Sequence, residues 1–173
     1  MNDTTGSDDP VVLGPDEGAA VQIGALGVRF MVGAERSGGG FSLVEHPIAP
    51  RGLAAPMHVH EREDEYTFVL EGSVGVQVGD EVRVAHAGDL VFKPRGVWHA
   101  FWNAGDEPAR ALEIISPGGF ERYFSELAPL FPPAIPAPDF EAIIALQQRY
   151  GLTMDPSSIE RLVAEHGLAS PGG

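Results

Sequence analysis

Between Val21 and Ser116 short runs rich in Val, Ile, Phe and Leu are separated by Gly, Pro, Asp or Asn at intervals of roughly 8 to 12 residues, a spacing typical of antiparallel sandwiches and barrels. The pattern predicts strands at Ala20–Ile23, Val28–Val32, Phe41–His46, Met57–His60, Tyr66–Glu71, Ser73–Val78, Glu81–Ala85, Leu90–Lys93, His99–Asn103 and Arg110–Ile115. Val74, Val76 and Val78 alternate with Gly75 and Gln77, the mark of a strand with one buried face. Gly79-Asp80 follows where a tight hairpin needs a residue that tolerates positive φ.

After Ser116 the period changes. Pro117-Gly118-Gly119 breaks the sheet, and Phe120, Tyr123, Phe124 and Leu127 then recur at helical spacing, so a helix over Phe120–Ala128 is expected to pack as core or close one end of the barrel. Pro132, Pro133, Pro136 and Pro138 force residues 131–138 to run extended over the surface. Asp139 caps a helix that Gly151 ends, and Asp155-Pro156 opens another that Gly167 ends. The predicted organisation is a disordered acidic tail at 1–18, a barrel at 19–116, a helical extension at 117–169 and a loose end at 170–173.

Composition narrows the chemistry. A net charge of −14 over 173 residues repels phosphate backbones and anionic lipid, so nucleic acid and membrane surfaces are not expected partners. Five acids and no base fall in the first eighteen residues, too little apolar surface to offset the entropy of ordering them. The sequence has no apolar run of membrane-spanning length and no signal-peptide pattern, and a cytoplasmic location is expected. With no cysteine, any metal must be held by nitrogen and oxygen.

His58 and His60 are two apart on a predicted strand, and residues at that spacing share a face. Glu65 lies beyond the charged turn Glu61-Arg62-Glu63-Asp64, which lets the chain double back toward them, and His99 enters from a separate strand. Three neutral imidazoles and a carboxylate suit one divalent transition-metal ion, Fe, Ni, Co, Mn, Cu or Zn, with positions left for substrate or dioxygen.

Gly52–Gly72 fits G-x5-H-x-H-x4-E-x6-G and Gly88–Asn103 fits G-x5-P-x-G-x2-H-x3-N at every fixed position. The two segments resemble the paired motifs of the cupin superfamily, over about residues 20–116. The resemblance implies an all-β cupin double-stranded β-helix, or jelly-roll barrel, with C-terminal helices, and a metal held inside it by His58, His60, Glu65 and His99. The ending Pro117–Ala128 resembles that of bacterial single-domain quercetinase-like cupins, which implies a metal-dependent dioxygenase acting on a flavonol or another enolic aromatic. Glu65 then serves as ligand and as the catalytic base for the enol proton.

Two other classes stay open: a non-redox isomerase, cyclase or lyase of natural-product or sugar metabolism, and a small-ligand-binding cupin. Strand parity with His99 places Phe101 and Asn103 in the substrate pocket, with Leu90 and Phe92 beside them and Phe41, Met57 and Trp98 around the mouth. His46 is read as structural, and His86 and His166 as surface residues. A homodimer is expected, paired through the sheets.

Overall fold

In the computed structural model, residues 12–131 and 139–169 are described. The expectations for the first eleven residues, for the proline-rich 132–138 and for 170–173 fall outside that range. The ten strands read from the pattern all form: β1 (Ala20–Ile23), β2 (Leu26–Val32), β3 (Ser42–Ile48), β4 (Leu53–His60), β5 (Asp64–Glu71), β6 (Ser73–Val78), β7 (Glu81–His86), β8 (Leu90–Lys93), β9 (His99–Asn103) and β10 (Ala109–Ser116). The hairpin between β6 and β7 pairs Val78 with Glu81 around Gly79-Asp80, with Gly79 at φ 57°, a conformation that strains side chains bearing a Cβ.

β4 starts four residues before the expected Met57. Its first half shows no alternation because its register against β9 shifts twice, around Ala55, and Pro56 sits within that irregular stretch, where its missing N–H costs no ladder bond.

A six-stranded sheet in the order β1-β2-β3-β10-β5-β8 packs on a five-stranded sheet, and all recorded pairings are antiparallel. This is the all-β double-sheet barrel the motifs imply. Between the sheets Leu26, Val28, Val44, Ile48, Val69, Val74, Ala111 and Ile115 form the buried core. Gly75 is required by packing: a Cβ there would lie 2.1 Å from Trp102 Nε1.

The fifth strand of the smaller sheet is β11 (Leu152–Met154), which pairs along β4 and so covers its free edge. Three residues are too few to show a period, and no sequence pattern marked it. Helix α1 (Glu121–Leu127) follows the barrel, and α2 (Phe140–Arg149) is capped by Asp139, which accepts from the Ala142 N–H at 3.0 Å. Helix α3 (Ser158–His166) ends at Gly167 with φ 60°. It packs on the outer face of β4 and β9, where Leu162 and Leu168 bury Met57, Ala100 and Trp102. Among the described residues no helix is long and apolar enough to cross a membrane.

Candidate metal centre

β4 and β9 are neighbours in the five-stranded sheet, with His58 directly opposite His99. His60, two residues on from His58, keeps the same inward face. At the end of β4 the chain turns through Glu61–Glu63 and leaves for the other sheet. Glu65, the second residue of β5, therefore meets the three histidines from across the barrel. The turn is held by Asp64, whose carboxylate accepts from the Arg95 backbone N–H at 2.9 Å and from its guanidinium at 2.7 and 3.0 Å.

One donor atom from each of His58, His60, Glu65 and His99 lies within 4.8 Å of all the others, and all four residues are buried. His99 Nε2 is 3.1 Å from Glu65 Oε2, and His60 Nε2 is 3.5 Å from Oε1. Two of the far ring nitrogens are occupied elsewhere. His58 Nδ1 lies 2.7 Å from the Pro56 carbonyl and His99 Nδ1 2.9 Å from that of Val97, and His60 Nδ1 faces the Glu63 carboxylate at 3.5 Å. The carbonyl partners of His58 and His99 fix their tautomers and aim Nε2 at the centre.

Burial, with the neighbouring His99 and His60, holds the His58 imidazole well below its ordinary pKa, and burial does the same to His99. Both are neutral donors at pH 7. Burial works to raise the Glu65 carboxyl, yet the charges of Lys93 and His60 and the contact with His99 outweigh it and hold Glu65 well below the usual range. An ionised carboxylate facing the neutral imidazoles of His58 and His99 fits a divalent first-row ion.

A second charged group lies behind Glu65. Lys93, on β8, places Nζ 2.8 Å from Glu65 Oε2 and 3.2 Å from Glu113 Oε1 on β10. The same nitrogen stands 4.6 Å from the Phe101 ring centroid, and Thr67 Oγ1 donates to Glu113 Oε2 at 2.8 Å. Burial pushes the Glu113 carboxyl up to about 7, with Lys93 opposing and Glu65 reinforcing. Burial also works to lower Lys93, but Glu113 and Glu65 hold it above its usual value. Sequence reasoning passed over Lys93, Glu113 and Thr67, although Thr67 shares strand parity with Glu65.

The expected pocket residues divide. Phe101 is inside, against His46 at 6.0 Å between ring centroids. Asn103 is buried but structural: its amide donates to the Ile48 and Glu107 carbonyls and its oxygen accepts from the Gly105 N–H.

Leu90 and Phe92 do not line the cavity. They stand on the outer face of β8, 59% and 49% exposed, because Lys93 takes the inward parity. Met57 is likewise outside, under α3, since His58 and His60 take the inward positions of β4. Phe41 and Trp98 flank β3 and β9 as exposed side chains.

Over the centre lies α1. Phe120, just before it, meets the His60 ring edge-on at 4.4 Å, and Phe124 meets His46 at 5.5 Å. The helical stripe thus both packs as core and closes the end of the barrel that holds the cluster. His46 accepts no role in the cluster, and its Nδ1 lies 3.0 Å from the Gly27 carbonyl. His86 is exposed, and His166 stacks on Trp102 at 4.1 Å.

Residues 45–115 match the family profile described as a cupin domain. Tetracenomycin polyketide synthase protein TcmJ of Streptomyces glaucescens is 39% identical over 71 residues, 40% of this chain and 46% of that protein. A probable oxidoreductase, virH, of Hypocrea virens is 27% identical over 90 residues, 48% of this chain and 40% of that one. The matched stretches thus span less than half the length of either relative. A crystal structure titled as a predicted oxalate decarboxylase of Thermotoga maritima superposes with a TM-score of 0.58 at 19% identity, covering 62% of this chain and 99% of the other, a likeness of fold.

Proposed function

Since the chain belongs to the cupin superfamily, with its cupin domain at residues 45–115, we propose that it is a metal-dependent enzyme acting on a small enolic aromatic, as a dioxygenase of the quercetinase type. The observation that carries the reading is the buried convergence of three imidazoles and one ionised carboxylate within 4.8 Å. His58, His60, Glu65 and His99 would hold the ion. Bound there, a divalent ion supplies Lewis-acid chemistry and, for the redox-active metals, access to dioxygen.

The remaining work falls to the protein. Glu65 Oε2 is engaged by Lys93 and His99, while among the described residues Oε1 has a charged or imidazole partner only in His60, at 3.5 Å. Oε1 is the atom placed to take the enol proton of a bound substrate. Phe101 and Phe120, both buried beside the cluster, exclude water and give a planar aromatic an apolar surface. The likeness to virH, a probable oxidoreductase, supports a redox reaction.

A second reading, a non-redox cyclase or isomerase, is favoured by the likeness to a polyketide synthase protein. An oxygen electrode separates the two. Protein loaded with iron, nickel, cobalt or manganese and given a flavonol should consume dioxygen in step with substrate loss, and Glu65→Gln, with its ion retained, should be at least about 100-fold slower. Substrate loss at an undiminished rate without dioxygen selects the second reading, and full turnover by ion-loaded Glu65→Gln removes the base role.

A further inference from the structure

Lys93 is an unusual occupant for a barrel core. Its side chain is 1% exposed and belongs to no surface network, and the cost of burying an ammonium is offset only by anions placed against it. Two are present on the same sheet: Glu65 on the neighbouring strand β5, and Glu113 one strand further on, on β10. By angle neither contact is a hydrogen bond, since Lys93 Nζ and Glu113 Oε1 lack a hydrogen-bonding partner among the described residues. The ammonium is held by the two carboxylates chiefly through charge. Glu113, in contrast, is anchored, its other oxygen accepting from Thr67.

We infer that Lys93 is a resident cation that competes with the metal ion for Glu65 and so sets the affinity of the centre, with Glu113 as the carboxylate that draws the ammonium aside. The inference rests on the metal-centre reading and adds to it a control that the four ligands do not contain. An ion entering among His58, His60, Glu65 and His99 must share Glu65 with a positive charge already in contact with it, in an interior where like charges repel strongly. Glu113, on the strand beyond Glu65 and in register with Thr67, offers the ammonium an alternative partner without any further charge leaving the core. The cluster therefore keeps Glu65 neutralised when no ion is present, and it trades ion affinity for that stability. Lys93 is a positioning residue, acting through Glu65.

Two variants move in opposite directions under this inference, which a space-filling role for Lys93 would not produce. The test is calorimetric titration of the full chain, stripped by chelator, with Zn2+ and separately with Co2+ at pH 8, against a competing chelator. Lys93→Met should bind each ion at least tenfold more tightly than the parent chain. Glu113→Gln, which leaves the ammonium with Glu65 alone, should bind at least tenfold more weakly. The ion-free melting temperature should fall in Lys93→Met and recover on loading, so that the ion-induced shift grows.

If Lys93→Met does not fold, the double variant Lys93→Met/Glu113→Gln decides the matter. It replaces the buried pair with uncharged groups, a change that cores often tolerate, and should bind at least as tightly as the parent. Affinities within threefold in all variants, or weaker binding without Lys93, overturn the inference while leaving the metal centre intact. A parent chain that binds neither ion overturns both.

Discussion

Inward positions at the far end of the barrel from the histidines are filled by Leu26, Ile48, Val69 and Val74, all at most 4% exposed. Equivalent inward positions at the near end carry Glu65, Thr67, Lys93, His99 and Glu113, buried just as deeply. One strand shows the change in three steps, since Glu65, Thr67 and Val69 project from the same face of β5. The two ends share one backbone and one alternation but are stabilised differently. The apolar end gains from area removed from water, whereas the polar end holds only while each charge has its counter-charge. Damage to the first should therefore appear in stability, and damage to the second first in ion binding.

The largest expected effects follow from that division. Ile48→Ala should cost about 2 to 5 kcal/mol of stability through the cavity left in the apolar end, read by denaturant melts, while leaving about one transition-metal ion per chain by mass-spectrometric elemental analysis. The variant lacking both His58 and His99 should lose that ion. An Ile48→Ala chain that folds but no longer retains its ion would mean that the two ends are one cooperative unit, and the contrast would fail.

The same division explains what could be read from the sequence. Turn chemistry and apolar runs gave β1, β6, β8 and β9 with their observed limits, and in β6 the alternation of valine with glycine and glutamine also gave the buried face. The four residues of the candidate centre were legible from spacing and the paired motifs. The second charged layer was not. In Leu90-Val91-Phe92-Lys93 the large apolar side chains invite an inward assignment, yet the barrel turns Lys93 inward and leaves Leu90 and Phe92 outside. The cue was indirect: Lys93 pairs in register with Glu65 across β5 and β8, and register between distant strands is a tertiary property. β11 was invisible for a related reason, as it exists by pairing with β4 rather than by its own period.

His46 lies between the two ends, with Phe101 and Phe124 against its ring, and sharpens the contrast through pH. Burial pushes its imidazole from 6.5 down to about 4 in the folded chain. The unfolded chain thus binds the proton more readily, so stability rises with pH between about 4 and 6.5 and is lost as pH falls through that window. The expected contribution is on the order of 3 kcal/mol across the window. His46→Gln, which retains a donor toward the Gly27 carbonyl, should flatten the dependence of melting temperature on pH between 4 and 6.5. An unchanged slope would show that His46 is not buried as a neutral group.

The smallest effect tests the inverted strand itself. If Leu90 and Phe92 stand on the outer face of β8, then Leu90→Ser and Phe92→Ser remove side chains that are 59% and 49% exposed, and each should cost about 1 kcal/mol or less. Phe92 should be the costlier of the two, because its ring stacks on Tyr66 at 4.9 Å and a cross-strand aromatic pair contributes up to about 1 kcal/mol. Neither substitution touches Lys93, so the affinity for Zn2+ should stay within about twofold of the parent chain. Serines inside the barrel would act otherwise, placing hydroxyls beside Lys93 and Glu113 where they could solvate the buried charges and shift ion binding. Small losses of stability with unchanged affinity fit apolar side chains outside and a charged one within, and a tenfold change in affinity from either serine would reverse the orientation assigned to the strand.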